Sequence, residues 1–338
     1  MSADTVETVV ITGASGGVGR ATARQFAQRL GERARLALLA RNVDALFAAK
    51  REVEHHGAKA LVIPTDVSKS DQVFAAADRV VKEFGPIDVW INNAMVSAYA
   101  PFVALSPQEF AHITEVTYLG QVYGTMAALR NMLPRDKGTI VQIGSALAKR
   151  SIPLQSAYCG AKHAIVGFSE SIRTELFHMK SNVHITLVHL PGVNTTQFEW
   201  TLNKMPHESK PVGTIYQPEV AADAIYFAAH HKRKEFLVGW PTIESTQVQK
   251  LASSALDHYL ANAAWDGSQR PELADHDKPN NFWKPVHGDR GSHGPFDSQS
   301  KPRSLQVWAN KNRNWIALGA ATAAVTTFAL AQSRRNGH

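Results

Sequence analysis

The chain has 338 residues, 44% of them hydrophobic, with a formal net charge of +7, which suits one large domain carrying an extension. Its basic residues are scattered, without an arginine-rich arm or a basic stripe interleaved with aromatics, so a nucleic-acid partner is excluded. A single cysteine, Cys159, excludes an intrachain disulfide framework and suits a reducing cytosol, and none of the 15 histidines has metal-site spacing.

The polar N-terminus enters a strand at once, so no signal peptide is expected. Residues 8–11 are a short β-branched run, followed directly by Thr12-Gly13-Ala14-Ser15-Gly16-Gly17-Val18-Gly19 and by helical spacing over 20–30. A buried strand, a glycine turn and a helix start form a phosphate cradle: the glycines let backbone approach a pyrophosphate, and free amides at the helix N-terminus meet its charge. The next strand, 36–40, ends at Arg41-Asn42. In dinucleotide folds this position faces the adenosine ribose. With no carboxylate there, and with Arg41 a planar donor suited to a 2′-phosphate, NADP is expected over NAD.

A helix over 43–56 leads to a strand over 60–63 and then to Asp66-Val67, where the acid can meet an adenine amino group or cap the next helix, 71–84. Residues 87–91 read as a buried strand that ends in Asn92-Asn93-Ala94-Met95. Helices over 107–115 and 119–132 precede a strand over 139–143 that delivers Gly144-Ser145. Beyond the helix carrying Tyr158, a strand over 184–188 runs into Pro191-Gly192-Val193-Asn194-Thr195-Thr196. A proline-started helix over 218–229 and a strand over 235–238 complete the alternation. The pattern predicts an α/β fold: a doubly wound parallel sheet of about seven strands, helices on both faces, with ligands at its carboxyl edge.

Tyr158 and Lys162 stand four apart and share a helix face. An ammonium so placed is expected to lower the phenol's pKa, by up to about three units at an effective dielectric of ~20, bringing it near the range where a general acid or base works best. Ser145 would offer a hydroxyl to a substrate oxygen beside it.

From about residue 8 to 240 the chain resembles the short-chain dehydrogenase/reductase family in its standard, unextended form. The resemblance rests on Thr12-Gly-x-x-x-Gly17-x-Gly19, Asn92-Asn93-Ala94, Ser145, Tyr158-x-x-x-Lys162 and the Pro191-Gly192 loop, in that order. It implies a nicotinamide-dependent oxidoreductase in which Tyr158 passes the proton, Lys162 tunes it and binds the nicotinamide ribose, and Ser145 orients the substrate oxygen. Gly13, Ser15, Gly17, Val18 and Gly19 would line the cofactor, with Arg41, Asp66 and Val67 at the adenosine, Asn92 and Ala94 nearby, and Val193 and Thr195 at the nicotinamide and phosphate. Three departures stand out. Met95 replaces a usual glycine, Thr117 aligns with the catalytic asparagine, and Pro191-Gly192 stands one residue closer to Val193-x-Thr195 than usual. A homodimer or homotetramer is expected.

The activity expected is NADP-preferring interconversion of a secondary alcohol and a carbonyl. The substrate would be small and hydrophobic, given Phe198, Trp200, Met205, Tyr216, Tyr99, Phe102 and Leu154. Its rivals are an epimerase or dehydratase of the same fold without net cofactor turnover, and a non-catalytic nucleotide-binding scaffold. Three parts are expected: a catalytic domain over 1–240, a polar wrapping arm or linker over 241–310 pinned by Trp283, Phe296 and Trp308, and an apolar helix over 311–338. Residues 315–331 carry no charge and lie between Lys311, Arg313 and Arg334-Arg335. At about 25 Å they approach the length of a membrane span, and the alternative is a helix packed on a partner subunit. The catalytic domain is expected in the cytoplasm.

Overall fold

Seven apolar segments assemble into one parallel sheet, as seen in the computed structural model, which describes residues 5–251 and 253–316. They are β1 (Glu7–Thr12), β2 (Ala34–Ala40), β3 (Lys59–Pro64), β4 (Val89–Asn92), β5 (Thr139–Ser145), β6 (His184–Leu190) and β7 (Glu235–Leu237). Their spatial order is β7-β6-β5-β4-β1-β2-β3. Chain order reverses between β1 and β4, and a crevice opens there at the carboxyl ends of the strands. The register brings the strand ends level: Thr12 lies beside Leu39, Asn92 beside Gln142, and Ser145 beside Leu190.

The strands are continuous apolar runs because helices cover both faces. In chain order these are α1 (Gly17–Leu30), α2 (Val43–His55), α3 (Ser70–Phe84), α4 (Pro107–Thr114), α5 (Gly120–Met132), α6 (Ser156–His178), the single turn α7 (Gln197–Trp200) and α8 (Pro218–His230). Phe26, Leu46 and Ile225 join one core from α1, α2 and α8, while Val73, Ala128 and Leu176 join the other from α3, α5 and α6. The two helices predicted over 107–132 are one continuous rod, joined by a wide π-type turn over Glu115–Leu119. Such turns concentrate at functional positions.

Two further helices follow, α9 (Trp240–Leu251) and α10 (Ser253–Gly267), and then a strand, Gln269–Leu273, that pairs antiparallel with His207–Ser209. The polar stretch beyond is an ordered arm on the body, ending at α11 (Leu305–Lys311). Of its three expected anchors only Phe296 is buried. Trp283 and Trp308 remain 53% and 61% exposed, whereas Phe282 and Phe296 are buried with Val307. Adjacent loop residues have no periodicity to say which one turns inward, so sequence did not separate Phe282 from Trp283. Apart from Trp315 and Ile316, the segment expected as a membrane anchor lies outside the described residues; among the described residues no helix is long and apolar enough to cross a membrane.

Candidate active site

Ser145 closes β5, and its Oγ accepts from Leu147 N at 3.1 Å, turning the chain into a short 3₁₀ turn. The chain reaches α6 through Leu154, whose φ of 68° is unusual for a branched residue. Leu154 is held there by burial among Tyr99, Phe198, Met205, Ile215 and Phe296. Tyr158 then lies in the first turn of α6 and Lys162 one turn on, its Nζ 5.5 Å from the tyrosine ring centre. Lys162 is 1% exposed and donates to Ile143 O at 2.6 Å. The same carbonyl accepts from Gln121 Nε2 at 3.1 Å, a partner with no sequence signature.

The electrostatics differ from the sequence expectation. Burial pushes the Tyr158 phenol well above its ordinary value, and a hydrogen bond with Ser145 only partly offsets this. Burial also brings the Lys162 ammonium down to about 7. Desolvation thus outweighs the expected Coulombic lowering of the phenol, because an ammonium that is itself poorly solvated has lost much of its preference for the charged form. The site holds a protonated phenol beside an amine poised near neutrality.

Behind Ser145 lies a second unpredicted group. His189, fully buried on β6, donates from Nδ1 to Ser145 O at 3.1 Å, and its Nε2 faces Glu235 at 3.9 Å. Glu235 also pairs with Lys149 at 3.0 Å, and the nearness of the His189 imidazole, followed by the Lys149 hydrogen bond, brings its carboxyl down to about 2.

At the other end of the cleft, Gly13 and Gly17 have φ of 68° and 51°. A Cβ on Gly13 would meet Asn93 Nδ2 at 2.8 Å, and one on Gly17 would meet Thr195 Cβ at 3.1 Å. Gly19 instead lies against the Gly13 carbonyl, so it serves close packing and does not line the cleft. No side chain caps the start of α1; its Gly17 amide donates to Gly291 O at 3.3 Å, and the amides that follow have no intrahelical partner and can meet an anion. This cradle fits a dinucleotide pyrophosphate.

Gly13, Ser15, Gly17, Val18, Arg41, Asp66, Val67, Ala94, Val193 and Thr195 all line one cleft of about 740 Å³ with Ser145, Tyr158 and Lys162. Thr196 and Asn93 line it too, and neither was predicted. Thr196 Oγ1 lies 3.3 Å from where a Cβ on Gly16 would stand, so both threonines of the loop reach the glycine turn.

Two side chains point elsewhere than expected. Asn92 is 1% exposed and turned inward, accepting from Trp90 Nε1 at 2.8 Å and donating to Gln142 Oε1 at 2.9 Å. The neighbouring Asn93 faces the cleft and ties β4 to the turn, donating to Thr12 O at 2.9 Å. Successive strand residues alternate sides, and the sequence alone did not fix which asparagine faced out. Thr117, in the π-type turn, is fully buried outside the cleft lining. Its hydroxyl donates to Val96 O at 2.8 Å and accepts from Val96 N at 3.1 Å, clasping the loop that follows β4. Asp66 caps its own loop through Ser68 while also lining the cleft.

Residues 7–207 match the family model described as short chain dehydrogenase. With the seven-stranded sheet and the cleft geometry, this settles the class: the chain belongs to the short-chain dehydrogenase/reductase family of oxidoreductases. It is 34% identical over 237 residues to the uncharacterized oxidoreductase YxnA of Bacillus subtilis, a match spanning 69% of this chain and 65% of that one. Among solved structures, it resembles an alcohol dehydrogenase from the archaeon Thermococcus sibiricus complexed with 5-hydroxy-NADP, at 26% identity and TM-score 0.60 over 69% of this chain and 96% of that one. It also resembles a metagenomic short-chain oxidoreductase in complex with NADP, at 29% identity and TM-score 0.59 over 70% and 98% of the two chains.

Proposed function

We propose that this chain is an NADP(H)-dependent oxidoreductase that interconverts an apolar secondary alcohol and its ketone. The observation that carries this reading is the meeting of Ser145, Tyr158 and Lys162 in the cleft that the glycine turn also lines. Tyr158, kept protonated by burial, gives its proton to a carbonyl oxygen as general acid, and takes it back in the reverse direction. Ser145 orients that oxygen with its hydroxyl. Lys162, near neutrality at about 7, exchanges protons with the phenol it faces. The nicotinamide, when bound, supplies or accepts the hydride. Thr117 acts as a positioning residue, through its clasp on Val96.

NADP(H) is favoured by the absence of a carboxylate directly after β2, by Arg41 in the cleft lining, and by the NADP-type ligands named for the two solved relatives. The substrate end supports an apolar molecule. Tyr99, Leu147, Ile152 and Phe198 line it from the body, and Val248 and Leu260 from α9 and α10. In this reading the part after residue 240 belongs to the working enzyme, since α9, α10 and the arm supply walls of the same cleft. A panel of ketones and secondary alcohols, followed by nicotinamide absorbance with NADPH and with NADH, tests the proposal. Turnover of apolar members with NADPH is expected; no turnover of any member with either cofactor would reject it.

A further inference from the structure

The arm after α10 lies outside the matched segment, yet it runs along the nucleotide end of the cleft. At the end of β2, the Arg41 guanidinium donates to the carbonyls of Asn281, Phe282 at 3.3 Å and Trp283 at 3.0 Å. Asn42 Nδ2 donates to Val286 O at 2.7 Å and Gly288 O at 3.0 Å. At the glycine turn, Gly17 N donates to Gly291 O at 3.3 Å. One turn into α1, the buried Arg20 grips both carboxylate oxygens of Asp289. The arm therefore touches the same loops that form the phosphate cradle.

It does so without filling the cleft, because Asn281, Pro285 and Val286 are themselves cleft walls alongside Gly13 and Val18. Its fastening is uneven. Phe282 and Phe296, 0% and 2% exposed, sink into two separate apolar clusters. The contacts given above between those anchors and the glycine turn are polar, through Asn42, Gly17 and Arg20. Segments with few buried apolar contacts open locally at lower cost than the whole fold. We propose that residues 283–295 form a strap over a bound phosphorylated dinucleotide, with Arg20–Asp289 as its latch, so that the nucleotide enters and leaves only when the strap lifts. This rests on the NADP(H) reading above.

The test uses the full chain and NADPH. Equilibrium titration by NADPH fluorescence comes first: if the chain binds neither NADPH nor NADH, the cofactor reading falls and the strap with it. Stopped-flow then measures association, and release into excess NADP, for the parent and for Asp289→Asn, which keeps the shape and removes the charge. Loss of one charge-assisted pair is expected to raise both rates by about tenfold, with affinity nearly constant. Hydrogen exchange gives an independent readout: NADPH should slow amides over 285–292, and Asp289→Asn should speed them while those beside Phe282 and Phe296 stay the same. If binding is intact but both rates are unchanged, or only release quickens, the strap is refuted and the cofactor reading stands. Exchange over 285–292 that ignores NADPH refutes it equally.

Discussion

Lys162 Nζ donates to the carbonyl oxygen of Ile143 at 2.6 Å, a bond buried at the floor of the cleft. The single acceptor does not replace the water that the ammonium has lost, and burial brings its pKa from 10.5 to about 7. A cation whose folded pKa lies below its unfolded one favours folding fully only above the unfolded value, and that contribution is lost as pH falls through the folded one. The ligand-free enzyme therefore carries a destabilising charge below about pH 7. Lys162→Met should raise Tm at pH 6, with the advantage shrinking steadily between pH 7 and 10 while turnover is lost. Thermal melts of both proteins across that range check this. A Tm difference that does not vary with pH would mean the amine is not the source.

Tyr158 is the proposed proton donor, a phenol that lines the cleft together with Ser145 and Lys162. Tyr158→Phe should leave the fold and NADPH affinity in place while turnover falls by roughly 10²–10⁴. The parallel measurements are kcat and NADPH fluorescence titration. Turnover within threefold of the parent would remove the phenol from the chemistry.

Thr117 and Val96 exchange two hydrogen bonds in a fully buried setting. Thr117→Val keeps the shape but strands both Val96 backbone groups, each an expensive loss at about 1–3 kcal/mol. Thr117→Ser should retain most of the clasp. The expected order of Tm is parent, then serine, then valine, with kcat falling in the same order because Met95 and Ala94 of the cleft lining are carried by the clasped loop.

What could be read from sequence was what local order dictates. The strand, glycine turn and helix at residues 7–30 announce themselves by apolar run, glycine spacing and helical period, and Tyr158 and Lys162 by their four-residue offset on one helix. What could not be read depends on contacts between distant parts of the chain. Arg41 meets carbonyls about 240 positions away, and Arg20 meets Asp289 across 269. Neither pairing leaves a periodic trace. The balance at Tyr158 was misjudged because a sequence shows the nearby charge but hides the burial that opposes it.

Arg41 now has two duties, since the guanidinium that lines the cleft is also the arm's fastening at β2. Arg41→Asp should weaken NADPH binding far more than NADH binding, through lost donors and added repulsion of a 2′-phosphate. Fluorescence titrations with both cofactors give the ratio. If both affinities drop equally, Arg41 matters only through the arm.

His293 should make the arm's docking depend on pH. Its Nδ1 lies 2.7 Å from Asp297 Oδ1, and its Nε2 lies 3.1 Å from Glu219 Oε1 on α8. Arg24 of α1 also reaches Glu219, at 2.6 Å, and donates to Ser292 Oγ at 3.1 Å. Burial alone would lower the imidazole's pKa, but the two carboxylates more than offset it, and His293 stands above its ordinary 6.5. A group raised in this way stabilises fully below 6.5, and its contribution is lost as pH rises through the folded value. Glu219 and Asp297 behave oppositely. Burial would raise each, but their hydrogen bonds hold both below the ordinary 4.5 and 3.8, so their share is lost only as pH falls through the acid range. The arm is then most firmly docked between about pH 5 and 6.5, and loosens on the alkaline side. Proteolysis at the arm should quicken as pH rises above 6.5 in the parent, after correction for the protease's own pH dependence. In His293→Gln, which keeps a hydrogen-bonding side chain without the charge, the rate should already be high at pH 6 and change little above it. A variant that reproduces the parent's full pH response would show that another group governs the arm.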